Sequence, residues 1–212
     1  MEKDKVWFCL EDPTNTDAAH AWHLEFARQD PNILLREIND FKSLAEEGRV
    51  IVAKNSAQSY IGLVYFDFEP PCWIVGGLMV DPSHRKRGIG EVLTHLALGH
   101  ILIYEDPVSR NESILAYVVA TNQKPMALMQ SLAFQPTGLT RARTLNLNSL
   151  GETTEIISNE YKMIVPDTVI ALAKWCSSWK GILLDNSPAE AALKQGVTLA
   201  NWSATLYSMA EI

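Results

Sequence analysis

Three cations and two glycines fall within one short turn of this chain, in the run Val80-Asp81-Pro82-Ser83-His84-Arg85-Lys86-Arg87-Gly88-Ile89-Gly90. The residues before it, 73–80, are apolar and β-prone and read as a strand. After it, Ile89, Val92, Leu93, Leu96 and Ala97 recur at helical spacing. Pro82 removes a backbone donor and helps to stop the strand. Gly88 and Gly90 allow a sharp turn and a close approach of the backbone to a ligand. The first amides of a helix have no partner within it and can point at an anion. Strand, basic glycine turn and helix in this order predict a phosphate-holding connection at the carboxyl end of a strand. The plain alternative is a glycine-containing connection with a solvated basic patch. A P-loop is excluded, because G-x-x-x-x-G-K-[ST] is absent, and the third glycine of a dinucleotide fingerprint is missing.

Those cations matter more because the chain as a whole is acidic, with a net charge of -7 over 212 residues. A general nucleic-acid binder would carry a basic face instead, and an acidic balance weakly favours a cationic or neutral small substrate. Hydrophobic residues make up 47% and charged residues 20%, enough for a sizeable core and against global disorder. Cys9, Cys72 and Cys176 are scattered, without metal-ligand spacing, and read as reduced thiols with no metal site. The start, Met-Glu-Lys-Asp-Lys, lacks an apolar run of signal type, and no window holds ~18 apolar residues in succession. A cytoplasmic protein with no membrane partner is the expectation.

The remaining pattern predicts a strand at 6–10, helices at 15–29 and 34–47, and strands at 50–53, 60–68 and 73–80. Beyond the basic turn and its helix come a strand at 114–120, a short helix at 125–132 and a strand at 139–147. The crossover from 73–80 to 114–120 makes those two strands parallel. Gly76-Gly77 inside a strand predicts a bulge or a close backbone approach. Residues 1–150 form the expected first domain. Residues 151–212 read as a C-terminal extension packed on it, with a strand at 161–165, helices at 168–180 and 188–210, and Trp175, Trp179 and Trp202. A subunit or partner interface is the alternative reading of that extension.

The hexapeptide Arg85-Lys86-Arg87-Gly88-Ile89-Gly90 has the form Arg or Gln, two residues, Gly, one residue, Gly or Ala. Before it stands Leu78-Met79-Val80-Asp81-Pro82; after it come Ile114-Leu-Ala-Tyr-Val-Val-Ala-Thr-Asn122 and Leu132-Ala133-Phe134. In these features, and in its order of elements over about 6–147, the chain resembles the GCN5-related N-acetyltransferase (GNAT) family. The resemblance implies an α/β fold. Its mixed, mostly antiparallel sheet has a central parallel βαβ pair splayed to take coenzyme A, helices on both faces, and here a C-terminal, mainly helical extension. It implies transfer of an acetyl group from acetyl-CoA to an amine of a small molecule or protein by direct attack on the thioester. A non-catalytic acyl-CoA-binding or regulatory domain of the same fold is the alternative. By the same resemblance, the backbone of Leu78, Met79 and Val80 pairs with the pantetheine arm. Arg85, Lys86, Arg87, Gly88, Ile89, Gly90 and Glu91 surround the pyrophosphate, and Asn122 contacts the cofactor near its reactive end.

The catalytic residues depart from the family pattern. Seven residues after Asn122, where many members carry a tyrosine acid, stands Met129, which has no proton to donate. The strand at 73–80 contains no acid, where many members carry a glutamate. Tyr117, five residues before Asn122, occupies a third position favoured in the family and is the candidate relay. Glu69, with Asp67 beside it, is the candidate carboxylate to reach an amine; His84 is a weaker titratable candidate. A base matters because freeing a lysine-like amine at pH 7 costs about 4–5 kcal/mol. The expected partner is a small-molecule or peptide amine, read by the first helices, where His20, Trp22 and His23 lie. A homodimer is left open.

Overall fold

The computed structural model describes residues 6–28, 30, 32–33, 36–146, 153–178, 183–184 and 199–210. Its strands are β1 (Trp7–Leu10), β2 (Val50–Lys54), β3 (Tyr60–Glu69), β4 (Cys72–Val80), β5 (Ser113–Val119), β6 (Phe134–Asn146), β7 (Thr153–Met163) and β8 (Leu183–Leu184). Its helices are α1 (Thr16–Ala27), α2 (Ile38–Glu46), α3 (Ile89–His100), α4 (Gln123–Ser131), α5 (Val165–Ser178) and α6 (Leu199–Ala210). The helical positions expected at Leu34, Leu35, Trp179 and 188–198, and the strand end at Leu147, lie outside the described residues. The fold is mixed α/β with a mostly antiparallel sheet, and β4 and β5, joined through α3, run parallel.

Two compact units share the chain, and β3 and β4 contribute residues to both, the divisions falling at Phe66/Asp67 and Gly76/Gly77. In the first unit the strand order is β4-β3-β2-β1-β8. Cys9, Val50, Val52, Leu63 and Tyr65 pack there with Ala19 of α1 and with Phe41 and Leu44 of α2. Gly62 on β3 lets α3 sit close, because a Cβ there would come 3.0 Å from Leu93 and 3.1 Å from Ile89. The close approach expected of the glycine pair is realised at Gly77. It takes φ +62°, and a Cβ would lie 1.9 Å from a ring carbon of the buried Tyr65. Arg36 lies against the Tyr65 ring, 4.8 Å from its centroid.

His20 and His23, near the expected acceptor region, are core residues that hold the two backbone polar groups of Arg36. His20 Nε2 donates to the Arg36 carbonyl at 2.8 Å, and His23 Nε2 accepts from the Arg36 amide at 3.2 Å. Burial, with the neighbouring His20 and Arg36 adding to it, pushes His23 down from 6.5 to about 4. The unfolded chain therefore takes up this proton first as pH falls. The contribution of neutral His23 is complete above about 6.5 and lost progressively toward pH 4, about 3 kcal/mol in all. His23→Gln keeps an acceptor for the Arg36 amide and removes the titration. The stability difference between wild type and His23→Gln, from urea midpoints, should shrink or reverse by this order between pH 7.5 and pH 4.5. A pH-independent difference would show that His23 does not titrate in this range.

In the second unit the order is β6-β7-β5-β4-β3. Trp73, Ile114, Ala116, Phe134, Tyr161 and Met163 are buried there, and alternation turns Tyr117, Glu160 and Lys162 to the opposite face. The strand expected at 161–165 is the end of a longer one: β7 lies between β5 and β6, and Val165 already begins α5. Thr168 Oγ1 donates to the Leu132 carbonyl at 2.6 Å, fixing α5 to the end of α4. Ser203 Oγ donates to the Ala173 carbonyl at 3.1 Å, and Trp202 seats on Gly99, where a Cβ would lie 2.3 Å from its ring. Helices α5 and α6 are anchored by these contacts.

Candidate functional site

The basic turn belongs to the first unit and is shaped by its own side chains. The Asp81 amide donates to the Ile61 carbonyl at 3.0 Å where β4 ends. The Asp81 carboxylate accepts from the Ser83 amide at 2.7 Å and the Ser83 hydroxyl at 2.6 Å. Burial pushes this carboxyl up, but the hydrogen bonds from Ser83 and the neighbouring His84 outweigh it and hold Asp81 below its ordinary range. His84 Nδ1 meets the Ser83 hydroxyl at 2.9 Å, which makes His84 part of the turn's scaffold. Arg85 Nε donates back to the Val80 carbonyl at 3.0 Å, with Asp30 4.0 Å from the same guanidinium.

The chain then passes through two left-handed residues, Lys86 at φ +63° and Gly88 at φ +80°. Arg85, Lys86, Arg87 and Gly88 are exposed, and the buried Ile89 anchors the helix start. The Val92 amide donates to the Gly88 carbonyl at 3.0 Å, so the amides of Ile89, Gly90 and Glu91 come ahead of it. Among the described residues, and apart from Gly88 and its two chain neighbours, no atom lies within 4 Å of a Cβ built on Gly88; one on Gly90 would sit at ordinary contact, 3.5 Å from Val80. Bare backbone at a helix start, with three exposed cations beside it, is an arrangement that can attract an anion such as a phosphate group. On β4, Leu78 and Val80 are half-buried, whereas the Met79 side chain, 3% exposed, belongs to the core.

The other candidates lie in the second unit. The β4–β5 register ends at Val75 opposite Ala116, and Tyr117 is the next residue along β5. Tyr117 Oη donates to Glu160 Oε2 at 3.0 Å, and the Arg141 guanidinium lies 5.1 Å from the centre of the phenol ring. Arg141 Nη1 donates to Glu69 Oε2 at 2.8 Å. Four residues from four strands thus join as Glu69–Arg141–Tyr117–Glu160. Burial raises the Tyr117 phenol above its ordinary range, and the bond to Glu160 adds to this, so it stays protonated at neutral pH. Burial likewise raises the Cys72 thiol, with Glu160 and Glu69 adding and Lys162 opposing. None of the three cysteines is in a disulfide.

Asn122 stands at the N-cap of α4, yet its side chain makes no capping hydrogen bond, although asparagine is among the preferred caps. Met129 is 5% exposed and packs into the unit. Asp67 accepts from the Phe68 amide at 2.8 Å. Sequence reasoning named Tyr117 and Glu69 but missed Arg141 and Glu160. The only signal for them was strand alternation, with the β5–β7 pairing that brings Glu160 opposite Tyr117 and the β6–β7 pairing that places Arg141 opposite Ser158.

Residues 15–134 match the model of the Acetyltransferase (GNAT) family. The chain belongs to this acetyltransferase family. The basic turn of the GNAT chain and its β4 fall within the matched residues, as do Tyr117, Asn122 and Met129. Its fold is that of a ribosomal-protein-alanine N-acetyltransferase from Brucella melitensis (TM-score 0.54, 17% identity, 74% of this chain and 98% of that one covered). Arabidopsis thaliana NAA60, solved with a bisubstrate analogue, is similar at TM-score 0.54 and 13% identity, covering 74% and 97%. A Salmonella typhimurium protein solved with its cofactor acetyl-CoA gives TM-score 0.51 and 14% identity, covering 75% and 93%. At these identities the likeness is one of fold. No curated protein matches this GNAT chain in sequence. Among the described residues, no helix is long and apolar enough to cross a membrane.

Proposed function

We propose that this chain is an N-acetyltransferase that takes the acetyl group of acetyl-CoA and passes it to an amine of a small molecule or protein. The observation that carries the reading is the turn between β4 and α3, with its left-handed Lys86 and Gly88, open space at Gly88 and exposed cations. The amides of 86–91, with Arg85, Lys86 and Arg87, hold the pyrophosphate, and the backbone of Leu78, Met79 and Val80 takes the pantetheine arm. Asn122 binds near the reactive end, in keeping with a side chain that makes no capping bond to its own helix. Bound acetyl-CoA supplies the acetyl group and a thiolate leaving group. A backbone amide at Met79 or Val80 polarises the thioester carbonyl. Tyr117, protonated at neutral pH, relays the proton of the reaction. Glu69 holds Arg141 beside the Tyr117 ring. The cysteines without disulfides suit a cytoplasmic setting.

Acetyl-CoA should raise the melting temperature, since a ligand at 100 times its Kd stabilises by about 2.7 kcal/mol. No rise at millimolar acetyl-CoA would remove the donor from this reading.

A further inference from the structure

On the reading of the chain as an acetyltransferase, we infer that Glu160 is the proton store of the reaction, acting through Tyr117. Three observations converge on this pair. Tyr117 is the first residue of β5 beyond its last β4 partner, at the point where the parallel pairing stops. Its hydroxyl is already committed as a donor to Glu160 Oε2, so the direction of proton flow is built into the resting state. Third, β6 breaks register beside Glu160: Pro136 pairs with Tyr161 and Thr140 with Asn159, leaving Thr137, Gly138 and Leu139 where regular pairing would place one residue. Register breaks of this kind re-aim side chains. This one brings Arg141 over the Tyr117 ring, with Glu69 behind it.

The charged and titratable groups around the pair are Glu160 and Lys162 on β7, Arg141 on β6, Glu69 on β3 and the Cys72 thiol on β4. Two carboxylates face two cations.

The step balances as follows. An amine entering as its free base forms the N–C bond at the thioester carbonyl carbon, the C–S bond breaks, and the electron pair leaves on sulfur. One proton leaves nitrogen for Tyr117 Oη while the phenol passes its own to Glu160. Glu160 then returns a proton through Tyr117 to the thiolate. The products are the amide and the free thiol, with Glu160 a carboxylate again and Tyr117 a phenol.

The test is steady-state kinetics of Glu160→Gln, which keeps an oxygen to accept the Tyr117 hydroxyl and loses the negative charge and with it the ability to take a proton. Expected is a fall in kcat of about 10²-fold with KM for acetyl-CoA and amine within about 3-fold of wild type. Glu160→Asp should recover part of the loss, and an unchanged acetyl-CoA-dependent rise in melting temperature certifies the fold of both variants. An active wild type with Glu160→Gln at wild-type kcat, or with the whole effect in KM, overturns the relay alone. A wild type that transfers to no amine overturns the acetyltransferase reading and the relay with it.

Discussion

Gly88→Asp is expected to abolish the rise in melting temperature that acetyl-CoA gives the wild-type chain. Two properties of the position make the effect large. Its left-handed φ of +80° strains any side chain, aspartate less than most, but the space a Cβ would enter is open among the described residues, so the variant is expected to fold with some loss of stability. The new carboxylate then stands among the amides and cations that would hold a pyrophosphate, replacing attraction by repulsion and filling the space the ligand needs. The expected loss is the whole ligand-linked stabilisation, about 2.7 kcal/mol at 100 times Kd. Gly90→Asp separates binding from folding further. A Cβ at Gly90 meets Val80 at ordinary contact distance, and an acid in the first turn of a helix favours that helix. It should melt like wild type without ligand and show no acetyl-CoA response. If both variants keep the response, the turn is not the donor site.

The second large effect is expected at Tyr117. Removing its hydroxyl takes away the proton relay and should lower kcat by about 10²–10⁴-fold. Tyr117→Phe keeps the ring beneath Arg141, and the hydroxyl bond to Glu160 is part-buried, so the fold survives. Met129→Leu serves as the comparison. Met129 occupies the family's usual acid position but is buried, and a volume-conserving exchange there costs less than about 1.5 kcal/mol and should leave kcat within a few-fold. Equal losses in the two variants would remove Tyr117 from the mechanism.

The turn at 85–90 and the strand before it were legible in the sequence because their information is local. Proline, cations and glycines within a few residues specify a turn, and an apolar run on one side with helical spacing on the other specifies what it joins. Gly77 was legible for a similar reason, since a glycine inside a strand asks what approaches it, although Tyr65 as the neighbour was not. Strand β7 was largely hidden. Its residues Glu155, Ser158, Asn159, Glu160 and Lys162 are too polar to read as core, and between 155 and 163 only Ser158, Tyr161 and Met163 are buried. The start of α2 at Ile38 lies later than the helical spacing suggested, and its N-cap Glu37 makes no side-chain capping bond that could have marked it. Arg141 and Glu160 were hidden by distance along the chain. Tyr117 and Glu160 are 43 residues apart, and Arg141 and Glu69 are 72 apart. Only strand register unites them, and a one-residue change in register would turn every one of these side chains to the other face.

Release of free thiol from acetyl-CoA in the presence of amines tests acetyl transfer most directly. The panel should include a peptide with a free N-terminus, a lysine-bearing peptide, a polyamine and an aminoglycoside. The account predicts thiol release that depends on at least one of these amines, with the acetylated amine as the matching product, and loss of both in Gly88→Asp. A chain whose melting temperature rises with acetyl-CoA but which releases thiol with none of them would contradict it, and would instead be a non-catalytic acyl-CoA-binding domain.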